Sequence, residues 1–165
     1  MAANGADTTE RIKEVIYKTC IHQDDMNWNA WLDLCDDDYK YMIRAYSPEI
    51  QADMTYLGGS REHMQSLTEM LPKHNTDNSP LKRHCTVYSV DVSEDGKSAS
   101  AVSSFVVYQT MLDGINSHVD AGESRLFLVG RYNDKFSIDG DSVKFTEREV
   151  RLDTRRLDKG SHWPI

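Results

Sequence analysis

The feature that most constrains this chain is the run of long alternating segments in its second half, punctuated by Asp-Gly pairs. Asp95-Gly96, Asp113-Gly114 and Asp139-Gly140 recur between segments long enough to be strands. Asp-Gly is hairpin chemistry, because glycine reaches the positive-φ conformations of tight turns and aspartate bonds its own backbone. His84, Thr86, Tyr88, Val90 and Val92 alternate with Cys85, Val87 and Ser89, the period of two that sends successive side chains to opposite faces of a sheet. Ser98 to Met111 carries Val102, Val106 and Tyr108 on one parity and Ala101, Phe105 and Val107 on the other. A strand apolar on both faces belongs in the centre of its sheet. Glu123 to Lys135, through Leu126, Phe127, Leu128 and Val129, reads as a third strand and Ser142 to Asp153 as a fourth. In the fourth, Val143 and Phe145 share a parity that Val150 and Leu152 break, so a bulge is expected near Glu147 to Glu149. Bulges bend a sheet, and a bent sheet can wrap a helix.

The first half supplies the helices. Asp7 with Glu10 three residues later is patterned as an N-cap and its reciprocal partner. Ile12, Val15, Ile16, Thr19 and Cys20 then recur at helical spacing, predicting an amphipathic helix from Thr8 to Asp24. Asn27 can cap a second helix with Trp28, Trp31, Leu32 and Cys35 as its buried stripe, ended by Asp36-Asp37-Asp38. Lys40 to Tyr46 reads as a strand, and Met54 to Leu57 as a short one before a Gly58-Gly59 turn. Ser60 caps a third helix carrying Met64, Leu67 and Leu71 and stopping before Pro72. Helices followed by a meander predict an α+β fold, a curved antiparallel sheet wrapped on N-terminal helices. At 165 residues this is one domain, 1–165, with no repeat or linker to divide it.

Composition excludes several functions. No stretch approaches the roughly 20 apolar residues of a membrane helix. The first residues, Met1 to Asp7, lack the charged-then-apolar order of a signal peptide, so a cytoplasmic protein is expected. A net charge of −8 argues against nucleic-acid binding, which rests on neutralising phosphates with Lys and Arg. Cys20, Cys35 and Cys85 form no C-x-x-C pair and sit in apolar-periodic segments, the pattern of reduced core cysteines.

Chemistry-bearing motifs are sparse. No Cys lies two or three residues from a His as Rieske ligands require, and the six histidines form no H-x-x-x-H or H-E-x-x-H. Neither G-x-G-x-x-G nor G-x-x-x-x-G-K occurs. Asp36 to Asp38 lacks the spacing of a calcium loop, and Ser103 and Ser104 have no nucleophile-elbow context. The enzymatic alternative is an apolar pocket inside the sheet with acid/base groups drawn from Tyr17, Tyr39, Tyr41, His84, Asp91 and Arg131, with His84, Asp91 and Tyr41 as its catalytic set. Against it stands the bland expectation that tyrosine hydroxyls reach water and charges pair with one another. Arg148, Arg151, Arg155, Arg156 and Lys159 lie among Glu147, Glu149, Asp153 and Asp158, either a solvated ion-pair face or an interface. The tail Ser161-His162-Trp163-Pro164-Ile165 favours an interface, since an exposed Trp and Ile need cover. The candidate interface residues are Arg131, Arg151, Arg155, Trp163 and Ile165.

The order of features resembles the small (β) subunits of Rieske-type aromatic ring-hydroxylating oxygenases, which share a cone fold with nuclear transport factor 2 and ketosteroid isomerase. The likeness runs from Ile12 to Ile165. It rests on Trp28-Asn29-Ala30-Trp31-Leu32, the acidic turn into Tyr39-Lys40-Tyr41, and Arg83-His84. Phe105-Val106-Val107-Tyr108, Val129-Gly130-Arg131-Tyr132 with Asp134, and Arg151-Leu152-Asp153 complete it. Ala45 to Ile50 lacks the Met-Pro ending of the arene-acting members. With Lys73-His74-Asn75, the stretch Arg44 to Ile50 is more similar to the methanesulfonate monooxygenase branch, which acts on a small sulfonate. The resemblance implies a structural subunit of a terminal oxygenase, three large and three small subunits, with no cofactor in this chain. The Rieske [2Fe-2S] cluster, the mononuclear iron and the substrate pocket would belong to the large (α) subunit, supplied with electrons from NADH through a reductase or ferredoxin. The rival reading is a stand-alone cone-fold isomerase, dehydratase or hydrolase.

Overall fold

The computed structural model describes residues 2–74, 77–112, 121–155 and 163–165. Three helices, α1 (Ala2–Asp24), α2 (Trp28–Asp33) and α3 (Arg61–His74), pack on a sheet of β1 (Cys35–Ser47), β2 (Ala52–Ser60), β3 (Leu81–Val92), β4 (Ser98–Thr110), β5 (Ser124–Asp139) and β6 (Ser142–Leu152). The strand order is β2-β1-β6-β5-β4-β3. Every pairing is antiparallel except β1 with β6, which run parallel. The expected meander is therefore β3 to β6, and β1 joins it only after the intervening chain has crossed over. The Asp113-Gly114 turn lies outside the described residues.

β1, β4, β5 and β6 each bury one parity, and α1 covers that inner face with Ile12, Ile16, Thr19, Cys20 and Gln23. The core they close includes Trp31, Tyr39, Tyr41, Phe105, Tyr132, Phe136 and Phe145, all essentially without solvent contact. Asn27 caps α2 through its side-chain oxygen, which accepts from the Ala30 amide at 3.3 Å, and Ser60 caps α3 in the same way at His63.

Several local expectations change. Asp7 lies inside α1, paired with Arg11 one turn on, and is not its cap. Asp36-Asp37-Asp38 does not end α2 but bulges from β1: four residues, 36 to 39, stand opposite the single Thr146 of β6. The bulge closes on itself where the Asp38 amide donates to the Asp36 carboxylate. Gly58-Gly59 is not a turn but part of β2, where a Cβ on Gly59 would fall 2.4 Å from the His63 ring. Helix α3 runs through Pro72 to His74, because a proline in the last turn forfeits only its own backbone bond. The bulge in β6 is at Thr146, just before the expected place: Glu147 pairs with Lys135 and Phe145 with Phe136.

Candidate functional site

That one-residue bulge decides what fills the centre of the sheet. It moves Arg148 onto the inward parity of Val150 and Leu152, so an arginine enters the core with no exposure. Its Nε and Nη2 donate to the two oxygens of Asp134 on neighbouring β5, each at 2.8 Å. The guanidinium carbon lies 4.0 Å from the Tyr132 ring centroid and 4.8 Å from that of Phe145. This is a bidentate ion pair shielded by aromatic faces. Burial raises the Asp134 carboxyl above its ordinary range, and the guanidinium opposes it. Burial likewise works against the charge on Arg148, but Asp134, Tyr132 and Tyr39 outweigh it and hold the guanidinium charged. Two parallel N–H bonds to the two oxygens are the geometry of a guanidinium–carboxylate ion pair.

The surrounding groups are closed off as well. Burial pushes Tyr39 and Tyr132 well above the usual phenol range and Tyr41 to about 12. The proximity of the two thiols, one on α1 and one on β3, lowers Cys20 and raises Cys85, with burial raising both. Burial takes Cys35 to about 12.

A second polar cluster seals the edge of the core. The Arg83 guanidinium donates to Asp24 at 2.8 Å and to the Pro164 carbonyl at 2.8 Å. The Tyr41 hydroxyl accepts from the Ile165 amide at 2.7 Å and donates to the Ile165 carbonyl at 3.1 Å. Trp163 packs on Trp28 with ring centroids 5.7 Å apart.

The catalytic set proposed from sequence does not assemble. His84 and Asp91 sit on the outer parity of β3, exposed to water, whereas Tyr41 is in the core and engaged with Ile165. Tyr17 is 41% exposed on α1, and Arg131 lies on the outer face of β5. Among the described residues no three His, Cys, Asp or Glu side chains converge as a metal site. The interface set needs correction at the tail: Ile165 is 2% exposed in this chain's own core, and half-buried Trp163 has its own aromatic neighbour. The tail's apolar residues found cover within the chain because Tyr41 and Arg83 satisfy its backbone. Arg151 and Arg155 are at the surface, bonded to Asp53 with Glu149, and to Glu49. Arg156, Asp158 and Lys159 fall outside the described residues. Sequence reasoning missed Arg148 by grouping it with its charged neighbours; its shared parity with Val150 and Leu152 was the available signal.

This geometry has known counterparts. Residues 6–149 match the SnoaL-like domain family. The chain is 55% identical over 163 residues to the β subunit of the methanesulfonate monooxygenase hydroxylase of Methylosulfonomonas methylovora, covering 99% of this chain and 90% of that one. The chain belongs to the SnoaL-like family, among the oxygenase β subunits. A second such subunit, that of the 2-aminobenzenesulfonate 2,3-dioxygenase of an Alcaligenes species, is 26% identical over 95% of this chain and 99% of its own. In three dimensions the chain superposes on the β subunit of an aromatic-ring-hydroxylating dioxygenase from Novosphingobium aromaticivorans with a TM-score of 0.77, 23% identity and full coverage of both chains. Naphthalene 1,2-dioxygenase shares the fold at a TM-score of 0.66 and 13% identity, over 88% of this chain and 78% of that one. The oxygenase β subunits thus share the cone-shaped curved sheet expected from the order of elements.

Proposed function

We propose that this chain is the β subunit of the hydroxylase component of a Rieske-type sulfonate oxygenase, a cytoplasmic scaffold that holds the catalytic large subunit in a complex of three large and three small chains. The observation that carries this reading is the packing of the cone's inner face among the described residues. Where a cone-fold enzyme keeps an open pocket with an acid and a base, this chain packs Trp31, Tyr39 and Tyr132 around an ion pair whose charges satisfy each other. A group locked in a bidentate pair has no proton to exchange with a substrate. The sulfonate assignment rests on the relatives named above, both of which act on sulfonates.

The cofactor reading follows. A [2Fe-2S] Rieske centre takes two Cys and two His, and a mononuclear iron takes two His and a carboxylate. The described residues of this chain bring no such set together, so both groups are assigned to the large subunit, with electrons from NADH through a reductase. The test is native mass spectrometry of this chain alone and co-expressed with its large subunit, with iron measured in each. A six-chain complex with iron confined to the large chain is the expected result. A monomer or dimer that ignores the large subunit would refute the scaffold reading in favour of a stand-alone enzyme.

A further inference from the structure

The outer face of the sheet carries a feature that the fold does not use. Arg131 of β5 stands opposite Arg151 of β6, and Arg151 stands opposite Arg44 of β1. All three occupy the outer parity of their strands, and adjacent strands are about 4.8 Å apart, so the row spans roughly 10 Å. Ser104 of β4 extends the row on one side and Thr55 of β2 on the other.

Like charges placed directly opposite each other weaken a sheet, so the row is a cost to folding. Only its central member is neutralised: Arg151 donates to Asp53 and Glu149. Among the described residues nothing forms a hydrogen bond or ion pair with the side chain of Arg131 or Arg44, and the Nε of Arg44 is buried without a partner. All three helices pack on the opposite face of the sheet. Half-buried Val102, Val106, Val129 and Met42 flank the row, giving the mixture of apolar surface and arginine that protein interfaces favour over lysine.

We infer that the row Arg131–Arg151–Arg44 is the docking surface for a carboxylate-bearing segment of the large oxygenase subunit. This rests on the proposed function, which supplies the large subunit, and adds where and by what chemistry it is held. Guanidinium forks pair with carboxylates through two parallel hydrogen bonds, and the two outer arginines have that capacity unspent. A two-fold contact with a second copy would set arginine row against arginine row, and contact between copies is read separately in the test below.

The experiment measures binding of the isolated large subunit to this chain as wild type and as the Arg44→Gln/Arg131→Gln variant. Both are checked by circular dichroism and thermal melting. Binding is read at low salt and at about 0.5 M, where exposed charges are largely screened. Loss of the two forks is expected to weaken Kd at least about tenfold at low salt and to flatten its salt dependence. Arg44→Lys/Arg131→Lys, which keeps the charge without the fork, should recover part of the loss. Lys97→Gln, at an exposed turn, should change nothing. Wild-type affinity and salt dependence in the folded glutamine variant would overturn the inference while leaving the proposed function standing. So would a variant that loses contact between copies of this chain yet still binds the large subunit. A wild-type chain that never binds the large subunit would overturn the proposed function itself.

Discussion

Replacing Arg148 with methionine tests whether the centre of the cone is held by a true ion pair. Both side chains of the pair are without solvent contact, so removing the cation leaves a carboxylate with no counter-ion in a medium that solvates it poorly. Breaking such a pair from one side costs about 3–5 kcal/mol. With a urea m-value of roughly 2 kcal/mol/M, the unfolding midpoint should fall by about 1.5–2.5 M. Replacing both partners, Arg148→Met with Asp134→Leu, removes the stranded charge and should restore most of that loss, because apolar replacement of a whole buried pair is often neutral or better. The double-mutant cycle therefore reports a coupling that a simple cavity would not. Acid provides a second discriminator. In Arg148→Met, Asp134 loses the group that opposes its burial-raised pKa. A carboxyl raised in the folded state penalises folding only when it must ionise, so the deficit should be smallest near about pH 4, the unfolded value, and grow as pH rises above it. The reasoning is refuted if Arg148→Met costs less than about 1 kcal/mol, if its deficit is independent of pH, or if the double variant is as unstable as the two singles combined.

Four further outcomes follow from other contacts. Ile165→Ala should cost about 2–5 kcal/mol and Tyr41→Phe about 1–3 kcal/mol, since Ile165 is core and its amide relies on the Tyr41 hydroxyl; equilibrium unfolding measures both, and a neutral Ile165→Ala would return the tail to an interface role. Gly130→Ala puts a Cβ 2.3 Å from the Arg151 carbonyl oxygen and 3.0 Å from Phe105, so strand spacing must change and melting should drop by several degrees, about 2–4 °C for each kcal/mol lost. Glu49 is held at about 2 by hydrogen bonds from Arg155 and Ser47. Being depressed, it supports the folded state fully above its unfolded value of roughly 4.3 and loses that support as pH falls through about 2; side-chain carboxyl NMR giving an ordinary midpoint would dismiss the Arg155–Glu49 clamp.

The sheet was the most legible part of the fold because its signals are local. Period-two burial and Asp-Gly turns located β3, β4 and β6, and broken parity pointed to the β6 bulge within a residue or two. What escaped depended on distant partners. An aspartate triplet reads as a helix end, since strands disfavour aspartate; only the pairing of Cys35 with Phe145 shows that β1 has already begun and that the carboxylates bulge away from it. Gly58-Gly59 reads as a turn until His63 is seen packed against it. The same limit applied to the candidate site. Exposure of His84 follows from the parity of β3 and was in principle readable; Asp91, on the opposite sequence parity, reaches the same face only through the bulge between Val87 and Ser89. The burial of Ile165 depends on Tyr41, 124 residues away, and no local pattern could have announced it.

Fold kinship alone does not decide between scaffold and catalyst. What separates the readings is the use each makes of charge. A catalytic pocket keeps a titratable group short of its ideal partner, so that its proton can move at neutral pH. Here the inner charges are mutually satisfied: Arg148 with Asp134, Arg83 with Asp24 and a carbonyl. The unspent charges, Arg44 and Arg131, lie on the opposite face, where no small-molecule cavity is needed to use them. Charge that faces inward and is already paired is closed to a substrate; charge that faces outward and is unpaired calls for a partner. The distribution of ion-paired and unpaired arginines across the two faces of one sheet is therefore the physical argument for a scaffold.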